Sequence, residues 1–334
     1  MKPLMIALAL GIVMVLAGFG WLHYSMSRLI EVGPDGRVFE LAPGANVNTV
    51  ALALEQEGIV STPPIAFRIY ARLTDSRGFV KAGEYRLRPG LSTADLLALF
   101  RSGDVVARTV TFPEGWTFRQ WRAEIGRTDG IEVTLAGVSN DEIMAQLGKP
   151  DVAAEGQFFP DTYQYTKGES DIAILERAHR RMVQALEAEW QRRQPAAVIE
   201  SPYDALILAS IVEKETGYEP DRTLIAGVFI NRLNAGMRLQ SDPTVIYGID
   251  DFDGDLRRAD LRRPTPFNTY VISGLPPTPI CNPGLASIRA VMNPKPSSYY
   301  YFVSRGDGRS RFSVTLEEHN EAVARYQKGD RVEH

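Results

Sequence analysis

Ser201-Pro202-Tyr203-Asp204-Ala205-Leu206-Ile207-Leu208-Ala209-Ser210-Ile211-Val212-Glu213-Lys214-Glu215-Thr216-Gly217 is an apolar run that ends on acids, and its reading decides the fold around it. Ser201 with Asp204 three residues on is a capping box, and Pro202 falls at the first helical position. Leu206, Ala209, Ser210 and Glu213 share one stripe at three- and four-residue spacing. Leu208, Ile211 and Val212 cover much of the remainder, so the helix is expected to be buried nearly all round. Gly217 is its natural C-cap. Glu213 then leaves the core at the last turn. Apolar surroundings and the negative helix end are both predicted to make it hold its proton, which is how a general acid is prepared. The competing reading is a structural carboxylate, or a glutamate at a helix end facing water. Glu215 lies roughly 200° around the helix from Glu213, so the two do not share a face, and Lys214 and Glu215 read as solvated.

The N-terminus says where such an acid works. Leu4 to Leu22 contains no charge. At about 1.5 Å per residue this length matches a bilayer core of roughly 30 Å. Trp21, His23 and Tyr24 suit an interfacial belt, and Lys2 is a short positive flank that favours a cytoplasmic N-terminus. No Ala-x-Ala site follows, so the run reads as an uncleaved single-pass anchor rather than a signal peptide. The whole chain is mildly acidic, with 41 acidic against 37 basic residues interspersed, which gives no basic footprint for nucleic acid. Cys281 is the single cysteine, which rules out a disulfide framework and a cysteine metal cluster. Four histidines, at 23, 179, 319 and 334, give little support for zinc. No metal and no cofactor are expected.

The chain behind the anchor reads as α+β, with the anchor at 1–27, a small α+β module at 28–110 and a mixed α+β domain at 111–334. Three similar turn signals punctuate it: Pro43-Gly44-Ala45-Asn46, Pro89-Gly90-Leu91-Ser92 and Pro113-Glu114-Gly115-Trp116. The first two lead into amphipathic helices, so the module is read as a repeated unit of turn, short helix and strand. Strands are expected at Gly83–Leu87 and from Val105 to Phe112, and helix over Phe67–Leu73. A long helix is predicted from Asp171 to about Arg193, closed by Gln194-Pro195. Helices follow at Asp221–Leu233 and Leu285–Met292. Asp242 before Pro243 is an N-cap pattern for a short helix to Tyr247. Tyr299–Val303 is predicted to pair with Phe312–Val314, and a polar helix starts at Leu316.

Several polar residues are candidates to hold a ligand near Glu213. Gln240, Ser241 and Asp242 form one loop, or else only a turn and a cap. Asn268 and Tyr270, an amide and a phenol two residues apart, suit sugar hydroxyls and an N-acetyl group, although such pairs often bind their own backbone. Asp161 and Tyr163 are a similar pair, with Asp161 also able to brace its turn. Ser210 lacks the nucleophile elbow of a serine hydrolase.

These stretches together closely resemble the YceG-like (MltG) family of endolytic murein transglycosylases. The resemblance is carried by Phe159-Pro160-Asp161-Thr162-Tyr163, Ala209 to Thr216, Val228-Phe229-Ile230-Asn231-Arg232-Leu233, Met237 to Val245, Tyr270 within Asn268-Thr269-Tyr270, and Gly274-Leu275-Pro276-Pro277. It implies that Glu213 is the catalytic residue and that the module at 28–110 is a LysM-like glycan-binding module. It implies a substrate of peptidoglycan strands and a place in the bacterial inner membrane with the catalytic domain outside. Peptidoglycan synthases of the penicillin-binding kind are the implied partners.

The expected chemistry is cleavage of the β-1,4 bond between N-acetylmuramic acid and N-acetylglucosamine with formation of a 1,6-anhydro end. One carboxyl suffices when it serves first as acid and then as base. The alternatives are a hydrolase with a second carboxylate, Asp161 or Asp242, and a silent membrane-anchored wall-binding scaffold. Gln240, Ser241, Asn268 and Tyr270 are the candidates to position sugars, and Asp242 to shape the loop.

Overall fold

The computed structural model describes residues 2–74, 80–194 and 196–328; Pro195 and His334, both named above, lie outside them. The fold is mixed α+β and divides into two compact units. One comprises the residues up to Arg108 with Gln164–Glu169, the other Thr109–Tyr163 with the residues from Ser170 on.

The first unit begins with the helix Lys2–Ser27, whose Leu4–Ser27 stretch has a mean hydropathy of 2.4 and is long enough to cross a membrane. Arg37–Leu41 and Gly83–Leu87 pair antiparallel, with Phe39 opposite Tyr85. The helices Val47–Gln56 and Pro64–Leu73 lie between these strands in sequence, and Thr93–Ser102 follows them. The order is thus strand, helix, helix, strand, helix, rather than the repeated turn–helix–strand unit expected. The turn signals do cap helices as read: Asn46 and Ser92 both form capping boxes, and Gly103, at φ 72°, ends the last helix in a conformation that glycine adopts without strain. Leu54, Phe67, Tyr85, Leu87, Leu96 and Phe100 form the core.

In the second unit the apolar run from Ser201 forms the helix Pro202–Glu215, with the predicted capping box and with Ala205 through Val212 all buried. Helices Asp171–Gln191, Glu219–Asn234 and Leu285–Met292 pack around it. Burying each large aliphatic side chain here contributes about 1.5–3 kcal/mol. The helix does not end as expected. Thr216, in extended backbone, is the C-cap, and Gly217 has no left-handed conformation. A second core of aromatic rings stacks Phe112 on Trp121 at 3.8 Å and Phe118 on Phe158 at 4.7 Å. The C-terminal hairpin pairs Tyr301–Ser304 with Ser310–Ser313, and the helix Leu316–Val323 follows.

Candidate functional site

Glu213 is part-buried on the last turn of its helix, and its carboxyl meets the start of another. Gly284 is the N-cap of the Leu285–Met292 helix, and its N–H donates to Glu213 Oε2 at 3.1 Å. Ser287 Oγ donates to the same oxygen at 2.6 Å. Orphan donors at a helix N-terminus are the groups that receive a carboxyl there. Among the described residues, nothing donates to Oε1. The carboxyl is therefore held by one oxygen and open at the other. Oε2 accepts from two donors, which leaves Oε1 as the oxygen free to face a ligand.

A second carboxyl stands beside it, and the sequence reading missed it. The third turn signal, Pro113-Glu114-Gly115-Trp116, is stitched to the segment before Gly284. Gly115 N donates to Asn282 O at 2.9 Å, and Asn282 N to Trp116 O at 2.9 Å. The side chain of fully buried Asn282 adds a bond to Trp116 O at 3.1 Å and accepts from Phe158 N at 2.9 Å. This brings Glu114 onto Gly284, where a Cβ would lie 1.9 Å from Glu114 Oε1. Glu114 and Glu213 thus touch the same glycine. Burial and then the Glu213 charge push the Glu114 carboxyl above its usual range, with buried Arg222 opposing. Lys214 Nζ donates to Gly115 O at 3.3 Å and ties the loop to the helix end. The available signal was a carboxylate inside a Pro-Glu-Gly turn; Ser287, three residues beyond a Pro-Gly helix start, carried a weaker one.

The loops at 240–242 and 268–270 gather around Glu215 instead. Read as solvated, Glu215 is turned inward: its Oε1 accepts from Ser241 Oγ at 2.5 Å, and burial raises its pKa to about 7, with Asp242 adding and Arg232 opposing. Ser241 is buried, and its hydroxyl is used on Glu215 rather than on capping. Ser241, not Asp242, is the N-cap residue of the Asp242–Tyr247 helix, and it makes no side-chain cap bond. Asp242 is exposed and accepts from Tyr270 Oη at 2.6 Å. Burial and the Asp242 bond raise the Tyr270 phenol. Gln240 is exposed, and at φ 52° it is the one non-glycine residue with positive φ among those described. That conformation is uncommon away from glycine. Its backbone is held by Thr269 O at 3.1 Å.

Three candidates are engaged inside the fold. Asn268 is fully buried; it donates to Asp260 O at 3.1 Å and Arg263 O at 2.7 Å and accepts from Tyr270 N at 3.0 Å. Asp161 is ion-paired with Arg181 and accepts from Thr162 N at 2.7 Å. Tyr163 is buried in the aromatic core with its hydroxyl on Phe159 O at 2.5 Å. Ser210 Oγ accepts from Ile280 N at 3.0 Å and donates to Ile207 O, so it joins two core segments. A further buried carboxylate, Glu155, is raised to about 7 by burial, against bonds from Phe118 N at 3.0 Å and Tyr247 Oη at 3.1 Å.

The family model of the YceG-like family matches residues 39–325. The chain is 28% identical over 323 residues to the endolytic murein transglycosylase of Bacillus subtilis, covering 91% of this chain and 89% of that protein. It is 28% identical over 345 residues to the endolytic murein transglycosylase of Streptococcus pneumoniae D39, covering 92% of this chain and 62% of that one. A crystal structure of a yceG-like protein from Listeria monocytogenes is similar with a TM-score of 0.55 and 29% identity, over 86% of this chain and 99% of that one. The matched span takes in the helix whose last turn carries Glu213, the turn that carries Glu114 and the helix start that bonds Glu213: the chain belongs to the YceG-like family.

Proposed function

We propose that this protein is an endolytic murein transglycosylase, anchored in the inner membrane by its N-terminal helix and cutting peptidoglycan strands outside it. The observation that carries the reading is the Glu213 carboxyl, held at Oε2 by Gly284 N and Ser287 Oγ and open at Oε1. Protonated on Oε1, Glu213 gives its proton to the oxygen between N-acetylmuramic acid C1 and the next sugar. The C1–O bond breaks, and the N-acetyl oxygen steadies the positive C1. The muramoyl O6 hydroxyl then bonds to C1 while its proton passes to the emptied Oε1. One bond forms for one broken, the proton returns to the enzyme, and no water is consumed. A carboxyl that serves in turn as acid and base has to keep one orientation through both steps, which the two donors on Oε2 provide.

The remaining roles follow from exposure. Exposed Gln240 and Asp242 and half-buried Tyr270 are proposed to position sugars, while Ser241 and Asn268 brace the loops that carry them. Asp161 and Tyr163 support the fold rather than the ligand. The chain is divided, in this reading, into an anchor at 1–27, a LysM-like glycan-binding module at 28–110 and a catalytic domain at 111–334. The compact strand–helix–helix–strand–helix unit supports the module. Synthases of the penicillin-binding kind are the proposed partners, because a cut close to the bilayer frees nascent strands and limits their length.

Glu114 favours a second reading. A hydrolase needs a second carboxyl across the scissile bond from the acid, and Glu114, close to Glu213 at Gly284, is a candidate for it beside Asp161 and Asp242. Product masses from purified glycan decide between them. Ends lighter by one water are expected for the transglycosylase; ordinary reducing ends overturn it in favour of the hydrolase, and no new ends in favour of a scaffold.

A further inference from the structure

We propose that the exposed face of the Pro64–Leu73 helix is seated on the outer surface of the same bilayer that the N-terminal helix crosses, with Ile65, Ile69 and Leu73 at the apolar boundary and Arg68 and Arg72 against lipid phosphates. The inference rests on the reading of the N-terminal helix as a membrane anchor.

The first argument is depth. From Leu4 to Leu22 the helix rises about 28 Å, close to the thickness of a bilayer core. Leu22 at the outer end of that span is already buried in the core of the first unit, together with Ser25 and Met26. The Pro64–Leu73 and Thr93–Ser102 helices pack directly against the anchor. Thr62 Oγ1 donates to Ser25 O at 2.7 Å, and Thr93 N to Arg28 O at 2.9 Å. In sequence the anchor ends at residue 27 and the module begins at 28. The anchor runs into the unit without slack, so the unit cannot stand away from the surface.

The second argument is the helix itself. Ala66, Phe67 and Ala71 are fully buried on one side. On the other, Ile65, Ile69 and Leu73, at i, i+4 and i+8, are exposed at 45%, 39% and 64%. Such a stripe of large aliphatics in water is costly unless something apolar covers it. Arg68 and Arg72 flank the stripe, both exposed, and neither makes an ion pair with any described residue. The helix carries no acidic residue. An apolar face edged by arginines is the pattern of a helix lying in a membrane interface, and anionic headgroups attract such cations. Exposed Trp21, Tyr24 and Leu29 sit at the outer end of the anchor, where an interfacial belt belongs. Continuity with the membrane-crossing helix selects lipid over a protein partner. The seat would hold the first unit at a fixed height and restrict its rotation about the anchor.

The test uses the full chain in vesicles of phosphatidylethanolamine with a minor share of phosphatidylglycerol. Nitroxide labels are placed on Ile69→Cys and Leu73→Cys, and buried Cys281 is left in place with the unsubstituted chain as the blank. The labels should collide with oxygen in preference to a water-soluble nickel chelate, as a label on Val15→Cys within the anchor does. Labels that meet the chelate as freely as one on Asp307→Cys overturn the seat. Arg68→Gln with Arg72→Gln should raise chelate access at position 69 several-fold in these vesicles and leave it unchanged in phosphatidylcholine; equal access in both overturns the role of the arginines. Alkaline carbonate separates the two readings. Extraction of the chain from the vesicles sinks the anchor itself, whereas a retained chain with aqueous labels sinks only the seat.

Discussion

Glu213 and Glu215 are the same amino acid, two positions apart on one helix, yet the molecule treats them in opposite ways. Glu213 meets a helix start contributed from seventy residues further along the chain, is gripped at one oxygen and keeps the other open. Glu215 turns to the other side, where Ser241 closes over it and burial holds it protonated up to about neutral pH. The difference teaches that a perturbed carboxyl does not by itself mark the reacting one. Burial raises Glu215 and Glu155, and both are bonded into the fold. Two donors on one oxygen and none on the other distinguish Glu213.

The asymmetry is tested most strongly at Glu213. Glu213→Gln keeps the shape and an acceptor for Gly284 N and Ser287, but removes the transferable proton. Release of anhydro-ended fragments should fall by about 10²–10⁴-fold, with the melting temperature nearly unchanged. Activity within a few-fold of the parent would mean that the wrong glutamate has been given the chemistry. A smaller but sharper test is Gly284→Ala. The added methyl would occupy the place of the Glu114 carboxyl, the far end of a flexible side chain, which can swing away while the fold survives. Displacing the carboxyl that stands beside Glu213 should lower turnover by roughly 10–100-fold, and Glu114→Gln should match it. If Gly284→Ala is slow while Glu114→Gln is fully active, Glu114 is a bystander and the glycine serves only to admit Glu213.

Much of this was legible because the deciding helix is locally consistent. Ser201, Pro202 and Asp204 set its start, and an unbroken apolar surface predicts burial all round, as found. The position of Glu213 at the edge of the core follows from the same stripe. What could not be read was which loops meet which side of that edge. Helical periodicity gives only the angle of a side chain, not the segment that packs opposite it, so neither the Ser241 bond to Glu215 nor the Gly284 bond to Glu213 could be read. Asn268 looked like a sugar ligand because an amide serves backbone and ligand equally well. Glu114 was passed over for the complementary reason: a glutamate in a Pro-Glu-Gly turn looks solvated until Asn282, far along the chain, pins the turn beside Gly284.

On the Glu215 side the expected effects are on stability rather than turnover. Ser241→Ala removes the donor that faces a buried carboxyl, at a cost of roughly 1–3 kcal/mol, seen as a lower melting temperature with activity reduced far less than in Glu213→Gln. The finest test uses the pH dependence. Glu215 has its pKa raised from 4.5 to about 7, so between those values the folded chain holds a proton that the unfolded chain releases. Stability attributable to this group is therefore full below about 4.5 and falls as pH rises through about 7. Glu155, raised over the same window, contributes a parallel decline. Glu215→Gln keeps the bond from Ser241 without the ionisation, so the loss of melting temperature between pH 5 and pH 8 should shrink by a few degrees, and the part due to Glu155 should remain. An unchanged pH slope would mean that Glu215 ionises in the fold as easily as in water. The contrast between the two glutamates would then rest on their hydrogen-bond geometry alone.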